Sequence, residues 1–164
     1  MNDLLDTTWL DDAWDFGDPP GSEARFRERL STLDPASVEA AELTTQVARA
    51  MGLEGRIAEA DALLDTISSE HPVVLARCNL ERGRLRNSSG NGAESVSWFL
   101  QALEEARLAS DDYLAVDALH MLAIVDEPGT TNWMRDGLAV AAASDDPRAR
   151  RWQGALHNLS LIHI

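Results

Sequence analysis

Apolar and polar positions along the chain recur with a helical period, and strict alternation is nearly absent. Ala, Leu, Glu and Arg fill most of these repeats, β-branched runs are few, and Tyr occurs once. Phe26, Leu30 and Leu33 stand at i, i+4 and i+7, the apolar stripe of an amphipathic helix. Gly and Pro punctuate the chain at intervals that leave helices of about 12 to 18 residues. Asp18-Pro19, Asp34-Pro35 and Asp146-Pro147 each offer an N-cap acceptor followed by a proline at the first helical position. The pattern predicts helices over 19–33, 35–52, 55–69, 72–88, 92–109, 111–126, 130–144 and 147 to the end. Connections as short as Leu53-Glu54 and Gly90-Asn91 fold successive helices back antiparallel. The fold class that follows is all-α.

The helix pairs also look like one another. Val47-Ala48, Gly55, Ala60, Leu64, Ile67 and Pro72 mark the first pair; Gly83, Gly90, Phe99 and Ala102 mark the second. Leu122-Ala123, Ala139, Ala142 and Pro147 mark a third, and Trp152, Leu156 and Leu159 open a fourth first helix. Small residues at Ala48, Gly83 and Ala123 let neighbouring helices approach closely, as stacked hairpins require. The intervals are 35 residues from Ala48 to Gly83, 40 from Gly83 to Ala123 and 37 from Ala123 to Ser160.

Residues 36–160 thereby resemble the tetratricopeptide repeat, whose pattern of Trp, Leu-Gly, Tyr, Ala, Phe and Pro spans about 34 residues. The match degenerates in the third repeat, where Thr130 replaces the turn glycine and Arg135 the alanine. The resemblance implies a right-handed superhelical stack of antiparallel helix hairpins. Its concave wall would be built from the helices at 35–52, 72–88, 111–126 and 147–160, with Leu64, Phe99 and Ala102 packed inward from the second helices. Residues 19–164 would form this repeat domain, about three and a half repeats long. Trp152 to Leu159 starts a helix with no partner after it, so the chain reads as an N-terminal fragment of a longer repeat protein. Leu156, Leu159 and Leu161 would then leave an apolar patch open to self-association.

Residues 1–18 are a separate acidic and aromatic segment. Asp3, Asp6, Asp11, Asp12, Asp15 and Asp18 alternate with Leu4, Leu5, Trp9, Leu10, Trp14 and Phe16, and no basic residue occurs among them. Such a mixture suits a segment that docks on a groove; the plainer reading has Trp14 and Phe16 covering the end of the first hairpin.

Charge narrows the partners. The 164 residues include 28 Asp and Glu against 14 Arg and no Lys, a formal net charge of −14. That field excludes a general binder of nucleic acid or of anionic membranes. The longest apolar run, Leu138 to Ala143, is too short to span a bilayer. One cysteine, Cys78, cannot form an internal disulfide, and Met1 to Asp6 carries acids where a secretory signal carries bases. A cytoplasmic location is expected.

No catalytic motif stands in the chain, neither G-x-S-x-G nor H-E-x-x-H, and without lysine there is no phosphate loop. Neither an enzyme nor a cofactor is expected. His120 and His157 would fall at equivalent places on neighbouring first helices; with Asp117 they are a remote metal candidate, and otherwise they line a polar groove. Arg77 and Arg84 are seven residues apart on one helix face, with Arg49 at a comparable inner place one repeat earlier. Arginines there fork onto a carboxylate of a bound peptide, or else pair with Glu42 and Glu81. The family's chaperone-binding carboxylate clamp is matched poorly, since Glu81 stands near where its asparagine belongs. The expected function is a protein- or peptide-binding scaffold whose groove uses Arg49, Arg77, Arg84, His120 and His157. The alternative is a ligand- or peptide-sensing module of a larger transcriptional or signalling protein.

Overall fold

The apolar stripes turn toward the interior, although of Phe26, Leu30 and Leu33 only Phe26 is fully buried and Leu33 lies beyond the end of its helix. The computed structural model describes the backbone of residues 4–162 and the side chains of residues 4–159. Among these the elements run α1 (Thr7–Ala13), α2 (Pro19–Leu30), α3 (Val38–Leu53), α4 (Ile57–Asp65) and α5 (Pro72–Ser88). They continue as α6 (Gly92–Leu108), α7 (Asp112–Val125), a short 3-10 turn (Glu127–Gly129), α8 (Thr130–Ala143) and α9 (Pro147–Ile162). The protein is all-α, with no strand among the described residues. No helix among them is long and apolar enough to cross a membrane.

Caps decide where the helices begin. Asp18 accepts the Gly21 N–H at 3.1 Å and Asp146 the Arg148 N–H at 2.8 Å, so Pro19 and Pro147 open their helices as expected. Asp34-Pro35 behaves otherwise. Asp34 accepts the Ala36 N–H in a turn, and Ser37 caps α3 by accepting the Ala40 N–H at 3.1 Å. The helix therefore starts at Val38 rather than at Pro35.

Three connections share one backbone device. Gly55, Gly90 and Ser110 have φ of 78°, 81° and 54°, and each is followed by an N–H that reaches back five residues. Arg56 donates to the Met51 carbonyl, Asn91 to Arg86 and Asp111 to Ala106. This is the Schellman closure of a helix C-terminus, in which a left-handed residue turns the chain sharply. Glycine adopts that conformation without strain, whereas Ser110 takes it with a β-carbon present. The α7–α8 link differs: the 3-10 turn carries the chain round, and Thr130 Oγ1 donates to the Ala123 carbonyl at 3.0 Å.

Consecutive helices from α2 to α9 pack against each other, and α3 meets α5, α5 meets α7, and α7 meets α9. Among the described residues α4 does not approach α6, nor α6 α8. Helices α3, α5, α7 and α9 therefore form one continuous layer. Val73, Leu80, Phe99, Ala102, Leu114 and Leu119 belong to the larger buried cluster, and Phe26, Leu43, Val47 and Leu64 to a second. Leu64, Phe99 and Ala102 point inward as the pattern predicts.

The N-terminal segment joins that second cluster. Leu5, Leu10 and Ala13 are buried with Phe26 and Leu43, and Trp14 meets the Phe26 ring edge-on at 4.9 Å. Trp14 thus caps the first hairpin, but Phe16 remains 59% exposed. Asp3 lies outside the described residues.

At the other end, Leu156 corrects one expectation. It is completely buried against Val116, Ala141 and the Cβ-free face of Gly137, so it adds nothing to an apolar patch. Leu159 is half-buried, and the Leu161 side chain lies outside the described ones.

Small residues set how closely the layers approach. Ala48 and Ala123 are buried, and a β-carbon at Gly83 would run into the Phe99 ring of α6. Gly83→Leu is expected to destabilise the protein by about 1–3 kcal/mol or more through overpacking. Gly83→Ala should fall between Leu and the parent. Thermal denaturation checks the order, and an unchanged melting temperature for Gly83→Leu contradicts the close α5–α6 contact.

Candidate functional site

The inner layer of α3, α5, α7 and α9 carries most of the buried polar side chains. Arg77 Nε donates to Glu42 Oε2 at 3.0 Å, and both side chains are almost fully buried. The second Glu42 oxygen accepts the Leu5 N–H at 2.9 Å, which fastens the N-terminal segment to α3. Arg84 bridges two helices: Nη1 donates to Glu81 at 2.5 Å and Nη2 to both Asp117 oxygens at 2.6 Å. Burial opposes charge on Arg84, yet Asp117 and Glu81 hold its guanidinium above the ordinary range. Burial likewise works to raise Asp117, and Arg84 and Arg49 outweigh it, leaving the carboxyl below its usual value.

Of the two readings of Arg77 and Arg84, these contacts match the pairing with Glu42 and Glu81, to which the structure adds Asp117. Arg77 is turned onto a carboxylate of the neighbouring α3, and Arg84 onto one of its own helix and one of α7, because burying an unpaired guanidinium is costly. Neither offers a free guanidinium to a peptide.

Arg49 is different. Half-buried on α3, it forms neither an ion pair nor a hydrogen bond among the described residues. Its guanidinium lies over the rings of Trp14 and Phe16, 5.7 and 5.2 Å from their centres. Those rings are stacked in parallel, 4.6 Å apart. Burial, with Arg84 close by, depresses the Arg49 guanidinium below its ordinary range.

Arg49 faces a cleft of about 510 Å³. Trp14 and Phe16 form one wall; Tyr113 of α7 and Trp152 of α9 form the other, their rings 6.4 Å apart. Arg148 and Arg151 also line it, and Asp11 is the only acid among the described residues that do. Arg148 lies 4.5 Å over the Tyr113 ring while paired with Asp146 at 2.8 Å. Arg151 is 71% exposed and only loosely paired, 3.7 Å from Asp11. The less neutralised positive charge therefore lies at Arg49 and Arg151, not along Arg49, Arg77 and Arg84.

The two histidines part company. His120 is half-buried, packs its ring 4.8 Å from that of Trp152, and leaves Nδ1 buried without a hydrogen-bond partner. His157 is exposed on α9 and does not line the cleft. No group of three or more His, Cys, Asp or Glu that could hold a metal occurs among the described residues. Cys78 is half-buried, and burial pushes its thiol up to about 11, so it is poorly nucleophilic.

Tyr113, Arg148 and Trp152 are not among the site residues expected from the sequence, although a signal for them exists there. Glu42, Arg77, Tyr113 and Arg148 stand at steps of 35, 36 and 35 residues, as do Gln46, Glu81, Asp117 and Trp152. Arg49, Arg84, His120 and Ala155 follow the same steps. The pairing of Gly83 with Ala123 put the third unit four residues too late, and Ala155, not His157, continues the His120 series.

Compared with known proteins, the chain matches no family model, no curated protein and no solved structure.

Two outcomes follow from the pairing. Arg77→Ala strands the Glu42 carboxylate and should lower stability by about 3–5 kcal/mol. Arg49→Met breaks no ion pair and should cost about 1 kcal/mol or less. Urea denaturation separates the two, and equal losses contradict the pairing.

His120 supplies a pH test. Burial holds its imidazole below the ordinary value of 6.5, with Arg84 acting the same way and Asp117 opposing. The unfolded chain therefore takes up the proton first. Its contribution to stability is complete above 6.5 and is lost as pH falls through that value toward the lower folded one. The melting temperature of the parent should fall over this window more than that of His120→Gln. Parallel curves contradict a neutral, buried His120.

Proposed function

We propose that this chain is a non-catalytic binding module of the tetratricopeptide type, whose α3, α5, α7 and α9 face takes a protein or peptide. What carries the reading is the register of that face: three series of side chains, one repeat apart, meet across four helices in a single layer. Regular spacing of this kind builds a continuous surface from successive hairpins, and such surfaces serve recognition. Within it the charges of Arg77 and Arg84 are internally spent and hold the layer together. Arg49, with the loosely paired Arg151 in the same cleft, is left to meet an anionic group of the partner.

A second reading, a ligand-sensing module within a regulatory protein, is favoured by one observation. The aromatic cleft of about 510 Å³ falls within the range of small-molecule sites, about 300–1,000 Å³.

A peptide library displayed against the purified chain tests the first reading. Bound sequences should carry an acid that crosslinks or shifts resonances at the Arg49 cleft, and affinity should fall with salt. Arg49→Glu should lose binding while keeping the parent melting temperature within a few degrees. A library that yields no binder, or binders indifferent to Arg49→Glu, overturns it.

A further inference from the structure

We infer that the cleft between Trp14–Phe16 and Tyr113–Trp152 is a binding site for a small aromatic acid, its carboxylate held by Arg49 and its ring slotted between the aromatic walls. The inference rests on the reading of the chain as a binding module, and adds to it a ligand class that a peptide face does not require.

The carboxylate assignment comes from the charges. Every other arginine that the inner layer buries is matched: Arg77 by Glu42, and Arg84 by Glu81 and Asp117. Arg49 contacts the Trp14 and Phe16 rings and has no hydrogen-bond acceptor among the described residues, so its N–H groups are left to fork onto a carboxylate. The nearby acids Glu81 and Asp117 are bonded to Arg84 and reach Arg49 only through space, and Asp11 pairs loosely with Arg151. A bound anion would also meet Arg151, whose present partner stands 3.7 Å away.

The aromatic assignment comes from the walls. Phe16 is 59% exposed although it stacks flat on Trp14, so this apolar surface is left without a cover. Across the cleft Tyr113 and Trp152 are half-buried and tilted toward each other at 52°. Flat aromatic surface on two sides favours a planar apolar body through offset-stacked and edge-to-face contacts. The small size follows from the same arrangement. Pairing of Arg77 and Arg84 confines the positive charge to one spot instead of spreading it along the face, and the rest of a chain of net charge −14 repels an extended polyanion.

Calorimetric titration with indole-3-acetate and its neutral isostere indole-3-acetamide tests the inference, with the indole N–H resonances of the full chain read alongside. The acid should bind about tenfold or more tighter than the amide, the ratio expected for a charge-assisted pair. Trp14 and Trp152 resonances should shift, and those of Trp98, which lies on α6 under Arg82 and does not line the cleft, should not. Arg49→Met should lose about tenfold or more in affinity for the acid and little for the amide, and Arg49→Lys should keep part of the difference. Equal binding of acid and amide overturns the inference, as does unchanged binding by a folded Arg49→Met or no binding of the acid at millimolar concentration. Should Arg49→Met fail to fold, the acid-to-amide ratio in the parent still decides. Capture of peptides without binding of the free acid overturns this inference and leaves the peptide reading standing; binding of the acid without peptide capture does the reverse.

Discussion

The inner layer of this protein depends on one constraint: a charge taken out of water must meet its counter-charge. Glu42 is 1% exposed, and its carboxylate is tolerable there because Arg77 and the Leu5 N–H take its two oxygens. Asp117, 2% exposed, is held in the same way by Arg84. Removing a carboxylate from water costs several kcal/mol, so such pairs add little net stability compared with well-packed apolar residues. Their consequence is positional. Arg77 meets Glu42 in only one register of α5 on α3, and Arg84 meets Asp117 in only one register of α7 on α5. The pairs fix how three successive helices lie side by side.

Register fixed in this way explains the close packing around it. Gly83 can sit against Phe99 only if α5 and α6 meet at the place where the β-carbon is missing. Gly137 does the same for Leu156, joining α8 to α9. The Schellman turns at Gly55, Gly90 and Ser110 set the reversals between helices, and the side chains then decide the depth of contact. Turn chemistry and layer chemistry are separate devices that agree on one arrangement, which is the consistency expected of a sequence that specifies a single fold.

Arg49 meets this constraint only through space, from Glu81 and Asp117 without a direct bond to either, and the proposed chemistry of the face arises there. A half-buried guanidinium supported by ring faces retains its charge and its hydrogen-bonding edge. The N-terminal segment is part of that arrangement, since it buries Leu5, Leu10 and Ala13 in the core and thereby brings Trp14 and Phe16 over α3. The Trp14 Nε1–H also donates to Gln46 at 3.0 Å, which fixes the indole plane beneath Arg49. Segment and inner layer together form the cleft; neither has two aromatic walls alone.

Local rules within the sequence determined the helices. Apolar period placed α2 through α9, proline and aspartate started α2 and α9, and glycine ended α3 and α5, because each effect acts over about one helical turn. The seven-residue α1 was missed, since its short apolar pattern is interrupted by acids, and its stability comes from burial against α2 and α3 rather than from period. The repeat was legible in Ala48 and Gly83, but its third unit was misplaced because small residues are common and Ala123 was as good a match as any. Only the tertiary structure decided which arginines are spent and which is free. Arg49, Arg77 and Arg84 share a residue type and similar places in the repeat, and their partners stand on other helices, 35 residues away for Arg77 and 33 for the Arg84–Asp117 contact. No local pattern distinguishes a guanidinium that will meet a carboxylate across a helix interface from one that will meet an aromatic ring, because that difference is made by packing.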